Sequence, residues 1–523
     1  MANVCLLLEG TYPYVSGGVS ACVHQLISKL PRTTFTLLYI GTSSDEYLSL
    51  KYKLPPNVVG LQELFLFDEL NDDKRRTELS KEELWALDLF HQTLHGAHPP
   101  SIKCAELQDW MNVLFPYGQG SDRLFQALAS RGIWKLLLRE TQRINKRIPF
   151  IDFFYTWRSA HIPIYKALSG RYPKAQLYHA LSTGYAGLAG MCASVQNNAP
   201  LVITEHGIYA HERAIEITEA EWFSDSHSYF QSSSSSMVLK DWWIQMFKNM
   251  STIAYEKAST IITLHNGNRA RQIEDGADPS KIELIPNGIN LKFHQLRRRH
   301  LPWPGPMSGS IFRIGFVGRV VPIKDVKTLI KAICIVRASY PHVTCQIVGP
   351  CEEDPAYFQQ CSELVAALGL ETIMKFSGKM DVMSVYPTLD CLVLTSISES
   401  QPLVVLEANC AGIPVVATEV GSCRELLEGR KGIDRGLGPS GILAPIGDPD
   451  TIAQQILKLI HSPQLWEQLS VTGVERVSTF YDENELVSRY ETIYRRHISA
   501  QRPVSIPRDH NTQPHMLVNK GLR

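Results

Sequence analysis

A short, uninterrupted apolar run opens the chain: Val4-Cys5-Leu6-Leu7-Leu8. With no polar alternation, it fits a strand covered on both faces, as in a parallel sheet. The turn that follows, Tyr14-Val15-Ser16-Gly17-Gly18, carries two glycines. Val19, Val23, Leu26, Ile27 and Leu30 then form one stripe of an amphipathic helix, and residues 35–40 make a second strand. Strand, turn, helix, strand is the opening of a doubly wound α/β sheet. The succession starts again at Phe312–Val317, with a helix at Val326–Ser339 and a strand at Val343–Val348. Further strands are expected at 372–376, Cys391–Leu394 and 415–417. Two Rossmann-like units in series are the repetition this sequence contains.

The length of 523 residues accommodates two large domains. Lys+Arg and Asp+Glu are both 52, and that zero balance argues against a nucleic-acid binder. An apolar fraction of 44% excludes wholesale disorder. The first apolar run has no basic segment before it and is broken by Glu9, so no signal peptide is expected. No run of about 18 apolar residues is present to span a bilayer. Eleven cysteines without a Cys-x-x-Cys pair suggest reduced, buried thiols in a cytoplasmic protein rather than a disulfide or zinc framework.

The first domain is expected over 1–300. A charged, Leu- and Trp-rich stretch at about 60–150 looks like a helical insertion, with a solvated turn at 71–76. Strand-like runs resume at 151–155, Leu177–Ala180, 201–204, Thr260–Thr263 and 282–285. The serines of 231–236 suggest a flexible loop. The basic, Pro-rich segment 297–306 is the expected linker, and a second domain follows over 301–476. Residues 501–523 lack periodicity and are expected to be a disordered tail.

Two segments of the second domain carry chemistry. Gly318-Arg319-Val320-Val321-Pro322-Ile323-Lys324 follows a strand, where parallel sheets bind ligands. Its arginine fork and lysine point charge suit a diphosphate, although two exposed surface cations would look the same. The second segment is Ser398-Glu399-Ser400-Gln401-Pro402-Leu403-Val404-Val405-Leu406-Glu407. Pro402 fits the first position of a helix, whose free N–H groups attract anions. Glu399 is then either a capping carboxylate or a group facing polar hydroxyls. Glu407 is either exposed or needs a partner, since it stands between Leu406 and Ala408.

Together these segments resemble the retaining nucleotide-sugar glycosyltransferases of family 4. So do Pro286-Asn287-Gly288-Ile289, Ala411-Gly412-Ile413-Pro414-Val415-Val416 and Val420-Gly421 before Glu425. Glu205-His206-Gly207-Ile208-Tyr209 with Glu212-Arg213, next to a long helical insertion, is similar to the PelF-type subgroup, which serves Pel-type exopolysaccharide synthesis. The resemblance implies a GT-B fold, two Rossmann-like domains facing across a cleft, with a final helix over about 477–500 crossing back to the first domain. It implies that Arg319 and Lys324 hold the donor diphosphate beside Gly318, that Glu407 takes the ribose hydroxyls, and that Glu399 contacts the transferred sugar. The backbone at Ser400, Gln401 and Leu403 would reach sugar or phosphate. Gly17 and Gly18 would close over the donor, Met380 would lie beside the base, and His206 would stand near the reacting centre. Ser400 departs from the glycine common at that position, and its Cβ would narrow the approach to the sugar.

The implied reaction is metal-independent transfer from a UDP-sugar to a growing polysaccharide, without a cofactor. A membrane-embedded synthase complex is an implied partner, with peripheral docking at the inner membrane through it. A non-catalytic nucleotide-binding subunit and a sugar-nucleotide epimerase of the same fold are the alternatives. Asp448-Pro449-Asp450 matches an Asp-x-Asp metal motif, but Asp448 before Pro449 and the stripe Ile452, Ile456, Leu459 is better explained as a helix cap. His206 alone could be structural; with Glu205, Tyr209, His211, Glu212 and Arg213 around it, the stretch is expected to line the cleft. Trp222, Trp242, Trp243 and Phe247 are either core or a patch facing an acceptor, and the adjacent pair Trp242 and Trp243 cannot both face one way.

Overall fold

The computed structural model describes residues 2–500 apart from 46–48, 69–76, most of 97–121, 129, 145–147, 220–232, 293–298 and 300. The first sheet has seven parallel strands in the order β3-β2-β1-β4-β5-β6-β7. They are β1 (Ala2–Glu9), β2 (Thr33–Gly41), β3 (Val58–Phe65), β4 (Leu177–Ala180), β5 (Leu201–Glu205), β6 (Thr260–Thr263) and β7 (Ile282–Leu284). The second has six parallel strands in the order β10-β9-β8-β11-β12-β13. These are β8 (Phe312–Val317), β9 (Val343–Val348), β10 (Met374–Phe376), β11 (Cys391–Leu394), β12 (Val415–Thr418) and β13 (Gly441–Ala444). Each order reverses once, between β1 and β4 and between β8 and β11. Those switch points are where the loops diverge and leave a crevice.

The opening run behaves as its composition requires. Val4, Leu6 and Leu8 enter one core and Cys5 and Leu7 the other, because β1 is covered on both faces. One cover is the helix Glu483–Ala500, which lays Leu486, Tyr490, Ile493 and Tyr494 on β1 and β4. Tyr494 and Thr204 each hydrogen-bond a ring nitrogen of buried His179, at 2.7 and 2.8 Å. The chain thus returns to its first domain after a break at Tyr481 and Asp482, where Asp482 bridges Ile289. This break corrects the expected single helix from 477.

Other expectations also need correction. Residues 58–65 are strand β3, not the start of the helical insertion. As an edge strand β3 is covered only in part, so Gln62 and Glu63 interrupt its apolar pattern. Beyond it stand the helices Lys81–His95, Asp122–Ala127, Arg131–Ile144 and Phe150–Ser169. The apolar run 151–155 lies in the last of these, where Phe153, Trp157, Ala160, Ile164 and Leu168 form a buried helical stripe. A run this short, four apolar or aromatic residues around Asp152, cannot by itself tell helix from strand. Ser233 begins the helix Ser233–Lys257, so the serine run is not a loop there. Pro402 precedes its helix, which spans Leu403–Cys410. The turn 71–76, Trp222 and the tail 501–523 lie outside the described residues, as does part of the linker. The ten described cysteines are free, and most are buried.

Burial also sets a pH dependence. Desolvation lowers His161 and His179 to about 3 and His265 to about 4, and holds His91 and His95 well below their ordinary value. Below pH 6.5 the unfolded chain binds protons that these folded histidines refuse, so stability falls as pH falls. Each such group contributes about 1.4 kcal/mol per pH unit until its folded form titrates. The carboxyls that desolvation raises, Glu140, Glu205, Asp390 and Glu407 among them, act in the opposite sense, but only from the lower pH at which carboxyls titrate. The urea midpoint is therefore expected to drop between pH 6.5 and 5. A flat midpoint across that interval would show that the histidines are not neutral in the folded chain.

Candidate active site

Residues that leave β8 and β11 meet at the switch point of the second sheet. Lys324 ends the short turn Pro322–Lys324, and its backbone is pinned there: its N–H donates to Val321 O at 3.0 Å and Thr395 Oγ1 donates to its carbonyl at 2.9 Å. Its Nζ forms an ion pair with the Glu399 carboxylate, which also accepts from Ser396 Oγ at 2.7 Å. Both side chains are largely buried. Arg319 is half-exposed and pairs with Glu353.

Close backbone contacts hold these loops. Gly349 has φ of +149°, and a Cβ there would stand 1.9 Å from Gly318 O. Gly421 has φ of +51°, and a Cβ there would stand 2.1 Å from Glu399 O and 2.4 Å from Ser400 O. Only glycine allows such approach. Glu407 has the partner its surroundings demand: Tyr386 OH donates to Oε2 at 2.6 Å, and burial raises the carboxyl above its ordinary value. Nothing in the sequence pattern marked Tyr386, Ser396 or Glu353.

The first domain supplies the facing wall. A cavity of about 910 Å³ runs between the domains. His206, Arg319, Glu399 and Ser400 line one end; Tyr185, Tyr209, Trp243 and Phe247 line its first-domain side with Glu9, Glu212 and Arg213. Burial lowers His206 to about 4, so its imidazole is neutral at ordinary pH. Glu9 ends β1 and accepts from Ser182 Oγ, Ala186 N and Tyr209 OH, which fixes it in the wall. Glu212 is accessible from the cavity and makes no hydrogen bond among the described residues; the protein walls around it, then Glu205, raise its carboxyl. Of the two adjacent tryptophans, Trp242 is buried against His95 and Trp243 faces the cavity.

Two neighbours of His206 do not line the cleft as expected. Glu205 is a buried strand end, satisfied by Thr183, Tyr255, Gln272 and the Tyr209 amide, so four donors keep this carboxylate in the core. His211 points to solvent.

The domains touch across the cavity. Ser400 Oγ donates to the His206 carbonyl, which also accepts from Asn268 Nδ2 at 3.1 Å. Gln401 Oε1 accepts from the Asn287 amide at 2.7 Å, and Glu425 from the Asn266 amide at 2.9 Å. Ser400 and Gln401 thus use their side chains to join the domains. Gly17 and Gly18 sit exposed at the start of the helix Gly18–Lys29, where an added Cβ would meet nothing within 4 Å; Gly10, Thr11 and Val19, not these glycines, form the cavity wall. Met380 is exposed, its sulfur 3.4 Å from Gln346 Nε2, and Leu403 opens its helix; neither lines the cavity. Asp448 is a cap: Oδ1 accepts from Thr451 N at 2.9 Å.

Comparison with known proteins agrees with this architecture. A family model described as Domain of unknown function (DUF3492) matches residues 2–280, more than half the chain, and one described as Glycosyl transferases group 1 matches residues 311–462. The D-inositol 3-phosphate glycosyltransferase of Thermobispora bispora is 26% identical over 221 residues, 39% of this chain and 48% of that protein. The N-acetyl-alpha-D-glucosaminyl L-malate synthase of Bacillus anthracis is 32% identical over 133 residues, 25% of this chain and 33% of that protein. The chain spans about half the length of the first curated relatives it matches. Among solved structures, sucrose-phosphate synthase from Thermosynechococcus elongatus superposes with a TM-score of 0.57 at 16% identity, over 96% of this chain and 100% of that one. HepE from Anabaena, solved with UDP and glucose, gives 0.54 at 17%, over 94% and 98%. Both likenesses establish the GT-B fold. The chain therefore belongs to the DUF3492 family and carries a group 1 glycosyl transferase domain as its second domain.

Proposed function

We propose that the chain is a retaining glycosyltransferase that moves a sugar from a UDP-sugar to a growing polysaccharide of the Pel type. The observation that carries this reading is the Lys324–Glu399 pair at the β8/β11 switch point, whose Glu399 lines one cavity with Arg319 and His206. When the donor's C1–O bond breaks, negative charge gathers on the departing diphosphate. In this reading Lys324, Arg319 and the helix N-terminus at Leu403 stabilise that charge, and no metal ion is called for. The acceptor hydroxyl oxygen then bonds to C1 on the same face, and its proton passes to the departing phosphate oxygen. Glu399 lies where it can steady the electron-poor sugar. Glu407, already bonded to Tyr386, takes the ribose. A uridine donor is supported by the UDP complex of the similarly folded HepE.

The acceptor lies along Tyr185, Tyr209, Trp243 and Phe247, whose apolar faces suit sugar rings. Glu212 supplies a free carboxylate for the acceptor hydroxyls. The Pel-type assignment rests on the Glu205–Tyr209 segment with Glu212 and Arg213. The reading includes a cytoplasmic enzyme that meets a membrane synthase complex as partner; among the described residues no helix is long and apolar enough to cross a membrane.

The test is nucleoside-diphosphate release from uridine, guanosine and adenosine sugars, with product analysis and Glu399→Gln as control. Release from one uridine sugar, lost in the variant, is expected. Turnover of a donor without transfer to any glycan, yielding an epimerised sugar nucleotide, would replace this reading.

A further inference from the structure

The helices Arg131–Ile144 and Phe150–Ser169 expose a face that the cleft does not use. On the first helix Arg131, Trp134, Lys135, Leu138 and Arg139 fall at the i, i+3, i+4, i+7, i+8 spacing of one stripe, and all five are exposed. Ile151, Tyr155 and Arg158 continue it on the second helix. Trp134, Leu138, Ile151 and Tyr155 are 42–58% exposed, which is unusual for side chains of this size. The two helices form one surface, since the Trp134 ring stands edge-on to Phe150 and Phe154 at 5.0 and 5.5 Å.

Cations predominate on this face. Arg131, Lys135, Arg139 and Arg158 make no ion pair among the described residues, whereas Arg143, in the last turn of the first helix, is paired with Asp88 and Glu140. Of the acids nearby, Glu140 is buried, Asp152 has a buried carboxylate oxygen, and exposed Glu78 accepts from the Arg131 amide at 3.2 Å, so the exposed cations outnumber the exposed acids beside them. Aromatic and aliphatic side chains bordered by unpaired Arg and Lys match the chemistry of an anionic membrane surface, with headgroup charge for the cations and the interfacial layer for Trp and Tyr.

We propose that this face docks the protein directly on anionic lipid. The proposal stands apart from the reading of the cleft, because none of its residues lines the cavity. Flotation of the full chain with phosphatidylcholine vesicles, with and without phosphatidylglycerol, tests it. Binding is expected with phosphatidylglycerol, and it should weaken as salt screens the charges. Lys135→Glu with Arg139→Glu should lower binding by more than about tenfold, as should Trp134→Ser with Leu138→Ser, with thermal unfolding and soluble donor turnover unchanged. Equal binding by wild type and both variants would overturn the proposal. So would a concentration-dependent dimer that the same substitutions abolish, since the face would then cover a second copy of the chain.

Discussion

Lys324→Ala is expected to lower nucleoside-diphosphate release by about 10²- to 10³-fold, the cost of removing one preorganised stabiliser of developing negative charge. The lysine is suited to that role because its backbone cannot drift. Val321, Thr395 and the Ile397 amide on Ile323 tie the turn to the loop after β11. The complication is Glu399. Its carboxylate is largely buried, and without the lysine it keeps the Ser396 hydroxyl as its side-chain donor. An uncompensated charge of this kind destabilises by about 3 kcal/mol. Assaying Lys324→Ala well below its own melting temperature separates the effects, since the variant is then fully folded. If turnover recovers there, Lys324 acts through stability and not through the leaving diphosphate. If the loss persists in the folded variant, the charge itself is at work.

The parts of this site that were legible in the sequence are those with a local cause. An unbroken apolar run such as Val4 to Leu8 requires cover on both faces, and a strand followed by Gly318-Arg319 puts a loop at a carboxyl end. Asp448 before Pro449 announces a cap because the whole cap lies within four residues. What could not be seen depends on distant partners. Glu205 and Glu212 stand seven positions apart with similar surroundings, yet one is sealed by Thr183, Tyr255 and Gln272 while the other is open. Tyr386 becomes part of the site only because the fold brings it beneath Glu407. The break at Asp482 likewise answers to Ile289, almost two hundred residues earlier. Ser400 reads in the sequence as a narrowing beside the sugar; across the cleft it is a hydrogen-bond donor to the His206 carbonyl.

That contact makes Gly421 the second position of large effect. Its N-terminal neighbours lead from β12, and the Ser422 amide donates to Ser400 O at 2.8 Å, so the segment lies directly on the Glu399–Ser400 backbone. In Gly421→Ala the new methyl must displace Glu399 O and Ser400 O, because both are backbone atoms and cannot swing aside. A shift of about 1 Å at a reacting group costs about 10²-fold in turnover, and that loss in kcat/KM is expected here. The same substitution carries a conformational cost of about 1–2 kcal/mol from its φ of +51°. Gly447 isolates that cost: its φ is +68° and a Cβ there meets nothing within 4 Å. Gly447→Ala should therefore lose a similar amount of stability at full turnover. Equal turnover in the two variants would mean that the Glu399–Ser400 backbone tolerates displacement, and that its fine position is not what the glycine protects.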